Sequence, residues 1–324
     1  MSDRLDVESV GRRLEGEFGP DRVGRGVPLA PFTTFGIGGP ADLFFRARTV
    51  EELVRVTQLA RDMDAPSFLL GRGANILVAD AGVRALVIHN EAKGISWVEE
   101  TVVRAESGVE TFPDLIEATV ARGMAGLHHF VGIPSTVGGA MWQNLHFLSP
   151  APERSRTVFL EEFVERADIF TAEGARRTVG AGYFEFGYDT SVLHHREDVV
   201  LSVDFRLAPL PEGDLRRVMR ENLVWRAERH PDLALFPCVG SIFQKIQGVG
   251  AGRLIDQCGL KGHVHPSGRA AIFDRHANII VNLGGARASD VRELMELSQR
   301  TVSRELGHEL VPEIGLIGDF GQAG

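Results

Sequence analysis

Sulfur is scarce in this chain of 324 residues, long apolar runs are missing, and basic stretches interleaved with aromatics are missing too. The only two cysteines, Cys238 and Cys258, have no metal-ligand spacing and read as reduced thiols of a cytoplasmic protein. No run approaches the roughly 18 apolar residues of a membrane span. The first residues, MSDRLDVESVGRRLEGEFG, carry charges throughout and lack the apolar core of an export signal. A net charge of −9 argues against nucleic acid as a partner. It does not exclude an anionic ligand, but a phosphate site must then be built locally, from backbone N–H groups and a few Arg or Lys. With 44% hydrophobic and 24% charged residues, the composition is that of a globular protein long enough for two domains.

Glycine is plentiful where structure would otherwise be regular. GRGAN (71–75) lies between the apolar runs SFLL and ILVA. There glycine allows positive φ and close backbone approach, and successive N–H groups can form an anion nest. On its own such a turn is weak. GIPSTVGGA (132–140) packs three glycines, a proline and two hydroxyls into nine residues, a density that suits neither a core strand nor a helix. TTFGIGGPA (33–41) is the third glycine turn. Together they suggest a long ligand carrying a diphosphate.

Periodicity and caps predict helices over 2–18, over 49–64 from a Thr49/Glu52 capping box, and over 111–123. Residues 163–207 read mostly as strand, and APLPEG (208–213) as a linker. Beyond it come a polar helix over 212–229 and a short helix, AGRLIDQC, ending at Gly259. Two strands follow near 270 and 280, then a helix from Ser289 to Gly307. The class is α+β. The expected division is an N-terminal helix (1–20), a lobe over 21–208 with subdomains 21–95 and 96–208, and a second domain over 209–324.

TTFGIGGPA, LLGRGANILVAD (69–80), GLHHFVGIPSTVGGAMWQN (126–144), GSIFQK (240–245), AGRLIDQCGLKG (251–262), HANIIVN (276–282) and LVPEIGLIG (310–318) occur in the order of one family. They resemble the UDP-N-acetylenolpyruvoylglucosamine reductases, the MurB-type enzymes of peptidoglycan synthesis, in the shorter branch without a substrate-covering tyrosine loop. With only Tyr183 and Tyr188, both in the first domain, the chain has no tyrosine to spare for that loop. The resemblance implies a two-subdomain FAD-binding lobe of the vanillyl-alcohol-oxidase type and a C-terminal α+β substrate domain. A Rossmann GxGxxG is absent, in keeping with that lobe.

By the same resemblance, FAD is held non-covalently. Its site comprises Gly36 and Gly38; Gly71, Arg72, Gly73, Ala74 and Asn75; and Gly132, Ile133, Pro134, Ser135, Thr136, Gly138, Gly139 and Ala140. NADPH is the implied hydride donor, a nucleotide sugar the substrate and the cytoplasm the location; the sequence leaves the oligomeric state open, with a monomer favoured. Ser241 matches the proton donor and Glu313, expected to be largely buried, an acid that stabilises the enol. Tyr188, Arg226 and Gln244 match substrate contacts, while Arg229 reads equally as a solvated helix position.

Two departures stand out. Where the family carries a catalytic arginine after a tyrosine, FEFGYDTSVLHHR (184–196) has Asp189, whose charge opposes a developing enolate. Arg154, Arg156 or Arg196 could replace that cation or pair with an outward-turned Asp189. Gln244-Lys245 stands where Lys-Asn is usual. The pairs His128-His129 and His194-His195 suit a metal poorly, since adjacent side chains on a strand diverge. His276 reads more as a core histidine than a substrate contact. Two alternatives stay open: a flavin oxidoreductase on another nucleotide sugar or hydroxy compound, and a flavin-binding relative without turnover.

Overall fold

The computed structural model describes residues 5–246 and 248–321. Elements run α1 (Val7–Phe18), β1 (Val23–Pro28), β2 (Pro40–Ala47), α2 (Val50–Asp62), β3 (Ser67–Leu70), β4 (Ile76–Val78), β5 (Val83–Asn90), β6 (Ile95–Glu99) and β7 (Val102–Glu106). Next are α3 (Ile116–Val120), β8 (Met124–Ala125), α4 (Val137–Gln143), β9 (His146–Ser149), β10 (Arg156–Phe159), β11 (Val164–Phe170), β12 (Arg176–Gly180) and β13 (Val199–Arg206). The chain closes with β14 (Ala208–Pro209), α5 (Glu212–Arg229), α6 (Ala251–Gln257), β15 (Ala270–Ile272), β16 (Ile280–Asn282), α7 (Ala288–Leu306) and β17 (Gly315–Ile317). Among the described residues no helix is long and apolar enough to cross a membrane.

Local chemistry explains most helix ends. Asp6 accepts the Ser9 N–H at 3.0 Å, so α1 starts at Val7 and buries Val10 and Leu14; residues 2–4 of the helix expected over 2–18 lie outside the described residues. Thr49 caps α2 through the Glu52 N–H at 3.1 Å, and the Glu52 carboxylate reaches back to the Arg48 N–H at 2.8 Å. The helix expected over 111–123 is shorter, α3 alone. Phe112 precedes a proline and stays extended, and a broad turn takes its place. The expected strand over 163–207 is interrupted, because residues 181–194 include two short 3₁₀ turns between β12 and β13.

The chain forms two compact units, one of Met1–Phe44, Gly73–Val87 and Ala227–Gly324, the other of Phe45–Arg72 and Ile88–Arg226. A four-stranded sheet has the order β1-β2-β5-β3.

In the second unit a five-stranded sheet runs β12-β11-β13-β7-β6. Val103, Phe205, Phe130, Phe184 and Leu215 are fully or almost fully buried in one core. Seven of the eight residues of β13 are buried, Asp204 among them at 1% exposure. Burial alone would raise that carboxyl. Arg104, opposite it on β7, and Arg166, opposite it on β11, outweigh burial and hold it below the usual range. Arg104 binds it with Nε at 2.6 Å and Nη2 at 3.0 Å, and Arg166 with Nε at 2.7 Å.

In the first unit Phe35, Leu77, Ile242, Phe243, Leu254, Val291 and Leu294 share a core. The Asp80 carboxylate caps α7 by accepting the Ala288 N–H at 2.8 Å and the Ser289 N–H at 3.1 Å. α7 ends at Gly307, φ 68°. β17 pairs in parallel with β4.

His128 and His129 do not diverge. They lie on a 3₁₀ turn over Leu127–Phe130, with ring centroids 4.0 Å apart. His128 Nδ1 accepts the Gly126 N–H at 3.1 Å, and His129 Nδ1 lies 2.7 Å from Ser149 Oγ. Burial, then the neighbouring His129, pushes His128 down to about 3, while burial and Arg156 push His129 down to about 4. Above pH ~6.5 both are neutral whether folded or not and contribute nothing. As pH falls from there towards 4, the unfolded chain takes up protons that the folded chain refuses. Stability should therefore drop by about 1.4 kcal/mol per histidine per pH unit, levelling off once the folded state also protonates. Urea unfolding between pH 7 and 4 checks this, and His128→Gln should remove about half of the slope.

Candidate functional site

In the first unit the glycine turn at 33–38 closes over one hydroxyl. Thr33 Oγ1 accepts the Ile37 N–H at 3.3 Å and donates to the Ile37 carbonyl at 2.9 Å. Gly36 sits at φ 63°, and the Asn282 side chain donates to the neighbouring Phe35 carbonyl at 3.0 Å. The Gly73 carbonyl accepts the Thr34 N–H at 3.2 Å, which docks the end of GRGAN on this turn. A Cβ on Gly73 would come within 2.5 Å of the Phe32 carbonyl oxygen, and its φ is 60°. Only glycine fits there.

In the second unit Gly71 lies against Thr136. A Cβ would stand 2.5 Å from its Oγ1. Arg72 and Lys93 both reach Glu110, at 3.6 and 3.5 Å, so the Arg72 charge is already balanced. Among the described residues none of the amides of Gly71, Arg72, Gly73, Ala74 and Asn75 is donated to a protein acceptor, although Gly73 is buried. Buried peptide N–H groups are rarely left so. A turn of unspent amides is a ready anion cradle.

GIPSTVGGA departs from expectation. Val137–Gln143 is a helix, α4, and Gly138 and Gly139 sit in its first turn. The Gly138 N–H goes to the Ser107 carbonyl at 2.8 Å and the Gly139 N–H to Thr136 Oγ1 at 3.2 Å. The Thr136 hydroxyl is thus the helix cap, and the Ser135 hydroxyl donates to the Thr136 carbonyl at 2.9 Å. The amides of Gly132, Ser135 and Thr136 have no protein acceptor among the described residues. Ile133 donates to the Phe130 carbonyl at 3.1 Å. Gly132 is small because α5 lies on it. A Cβ there would meet Leu223 Cδ2 at 2.9 Å and Arg226 Nε at 3.4 Å. Arg226 places its guanidinium 5.6 Å from the centre of the Phe147 ring, whereas Arg229 makes an exposed pair with Glu228.

Ser241 and Glu313 come together on adjacent segments of the first unit. The Glu313 N–H donates to the Ile242 carbonyl at 2.8 Å, and the Gln244 N–H to the Val311 carbonyl at 2.9 Å. Both Ser241 and Glu313 are half-buried, so Glu313 is more open than expected. Gln244 and Lys245 are both exposed, so the one-place displacement of the lysine costs no burial. His276 is half-buried, stacks 5.6 Å from His230, and leaves Nδ1 without a partner.

Among the described residues the side chain found in ion-pair reach of Asp189 is a histidine, whereas the three candidate arginines have other partners. Arg154 is tied to Asn222 Oδ1 at 2.8 Å and to the Leu148 and Glu221 carbonyls, Arg156 to Glu162 at 2.9 Å, and Arg196 to the Tyr183 hydroxyl at 3.1 Å. The carboxylate lies instead 3.6 Å from His146 Nδ1, at φ 56°. The His146 ring lies tilted against the exposed Tyr188 ring, with centroids 4.5 Å apart. Burial raises the Asp189 carboxyl, opposed by His146, by a hydrogen bond from Gln143, and by His194. Sequence reasoning missed His146, which lies outside every quoted motif. Among the described residues no three His, Cys, Asp or Glu gather as metal ligands.

Two family models match the chain: "FAD binding domain" over 41–180 and "UDP-N-acetylenolpyruvoylglucosamine reductase, C-terminal domain" over 230–317. The UDP-N-acetylenolpyruvoylglucosamine reductase of Rubrobacter xylanophilus is 37% identical over 295 residues, 90% of this chain and 94% of that one. That of Moorella thermoacetica is 36% identical over 292 residues, 90% and 92% of the two chains. Among solved structures, UDP-N-acetylenolpyruvylglucosamine reductase (MurB) from Thermus caldophilus matches with a TM-score of 0.75 and 33% identity. The match covers 91% of this chain and 99% of the other.

Gly73→Ala tests the cradle. The substitution should cost about 1–3 kcal/mol of stability and lower the flavin-to-protein absorbance ratio of the purified protein. An unchanged ratio would remove Gly73 from the site. Asp189→Asn should lower the His194 pKa further, read by NMR titration, because burial already lowers it and Asp189 opposes that shift.

Proposed function

This chain belongs to the UDP-N-acetylenolpyruvoylglucosamine reductase family, MurB, and we propose a role for each of its site residues on that basis. It is an FAD-dependent oxidoreductase that reduces UDP-N-acetylglucosamine enolpyruvate to UDP-N-acetylmuramate, a step of peptidoglycan synthesis. Bound FAD supplies hydride transfer, from NADPH to C3 of the enolpyruvyl ether.

The unspent amides of Gly71 to Asn75 hold the FAD diphosphate. They fit it because Arg72 is balanced by Glu110, which leaves the backbone as the main donor set. By family resemblance, Gly36 and Gly38 of the first unit, and Gly132, Ser135 and Thr136 of the second, each serve FAD binding. Gly138, Gly139 and Ala140 form the first turn of α4, which the Thr136 hydroxyl caps. FAD is held non-covalently.

Ser241 donates the proton to C2 as charge develops on the substrate carboxylate. Glu313, one segment over, stabilises the enol. Their closeness along paired backbone, through the Glu313 N–H to the Ile242 carbonyl, is the observation that carries this reading. Both are half-buried, so a proton can be exchanged and water restricted at once. Arg226 holds a phosphate of the nucleotide sugar, while Tyr188 and Gln244 contact the substrate. The functional boundary falls near residue 208, ahead of α5, with FAD binding over 21–208 and substrate binding over 209–324. The protein is a cytoplasmic monomer that binds neither nucleic acid nor membrane.

One observation favours a second reading. Asp189 stands where the resemblance implies a cation, and a histidine ring lies 3.6 Å from its carboxylate. A flavin oxidoreductase acting on another nucleotide sugar or hydroxy compound would accommodate a carboxylate there.

NADPH consumption by the FAD-loaded protein, with and without UDP-N-acetylglucosamine enolpyruvate, separates the two. Turnover that depends on the enolpyruvyl substrate and falls about 10²–10⁴-fold in Ser241→Ala supports the reductase. A protein that holds FAD yet ignores this substrate would exclude it.

A further inference from the structure

The segment carrying Ser241 is not in a regular sheet. Its backbone is paired on one side with residues 311–313 and on the other with a side chain. Asn278 Oδ1 accepts the Phe243 N–H at 3.0 Å, and Asn278 Nδ2 donates to the Phe243 carbonyl at 2.8 Å. The Asn278 carbonyl also accepts the Ile242 N–H at 2.8 Å. One residue thus satisfies three backbone groups of two adjacent residues, in the way that a neighbouring strand would. Asn278 is 7% exposed and Phe243 2%, so water cannot take over.

We propose that Asn278 is a positioning residue for the proton transfer, setting the register between Ser241 and Glu313; this rests on the roles given to those two residues above. The geometry supports it step by step. Ser241 pairs with Ile279, the residue after Asn278, and Phe243 pairs with Pro312, the residue before Glu313. Proline has no N–H to donate. On that edge the nearest bonds are Glu313 N–H to Ile242 and Gln244 N–H to Val311, and on the other edge Asn278 locks Ile242 and Phe243. Asn278 is itself held in place. α6 presses on it at Gly252, where a Cβ would stand 3.3 Å from the Asn278 nitrogen and 3.4 Å from its Cβ. The side chain must donate and accept at once. Asp keeps the shape but loses the donor, and Ala loses both.

The test is rapid-mixing kinetics on FAD-loaded Asn278→Asp and Asn278→Ala, with bound FAD and Tm measured alongside. Reduction of the flavin by NADPH needs no proton from Ser241 and should be unchanged. Reoxidation by the enolpyruvyl substrate should slow on the order of 10²-fold, and adding Asn278→Asp to Ser241→Ala should cause no loss beyond that of Ser241→Ala alone. Equal slowing of both half-reactions, loss that multiplies with Ser241→Ala, or failure of both variants to hold FAD would overturn the proposal, the last by making Asn278 merely structural. If only Asn278→Ala loses FAD, the isosteric Asn278→Asp carries the comparison. Ser241→Ala alone keeps the layers apart. If it leaves reoxidation fast, the role of Ser241 falls; if it slows reoxidation while Asn278→Asp does not, only the role of Asn278 falls.

Discussion

Removing a peptide group from water without a partner costs about 1–3 kcal/mol, and most of this chain avoids that cost with helices and ladders. The site regions do not. Around Ser241 the ladder is assembled from isolated pairings and completed by the Asn278 amide. Around Gly73 the amides are left without protein acceptors. One rule, that buried donors and acceptors must be satisfied, therefore governs both places. It produces a rigid register where chemistry needs position, and open donors where a phosphate needs to be met.

Charge follows a similar logic. Asp204 is the most deeply buried carboxylate of the second unit, and two arginines more than offset its desolvation. It anchors a sheet. At Asp189 burial prevails over His146, a Gln143 hydrogen bond and His194 to raise the carboxyl. Two aspartates fifteen positions apart thus differ in the sign of their shift because of what faces them.

Much of the frame was legible. The cap at Thr49 and the stop at Gly307 are read from a few adjacent residues, and α2 begins and α7 ends there. The motif order showed the family. GIPSTVGGA was misread as incompatible with a helix, because glycine density masked a cap at Thr136 that the same stretch contains. HANIIVN drew attention for its histidine, whereas its asparagine makes the bonds that matter.

The sequence by itself determined the α+β class, the positions of the turns and the family, since each depends on neighbours along the chain. Only the tertiary structure decided which donors are spent and which charges meet. Asn278 reaches Phe243 across 35 positions, and Asp80 caps a helix 208 positions away. His146, 43 positions back, lies against Asp189, whereas Arg154, Arg156 and Arg196 have other partners. Such pairings depend on where packing brings distant backbone and side chains, and no local pattern encodes that.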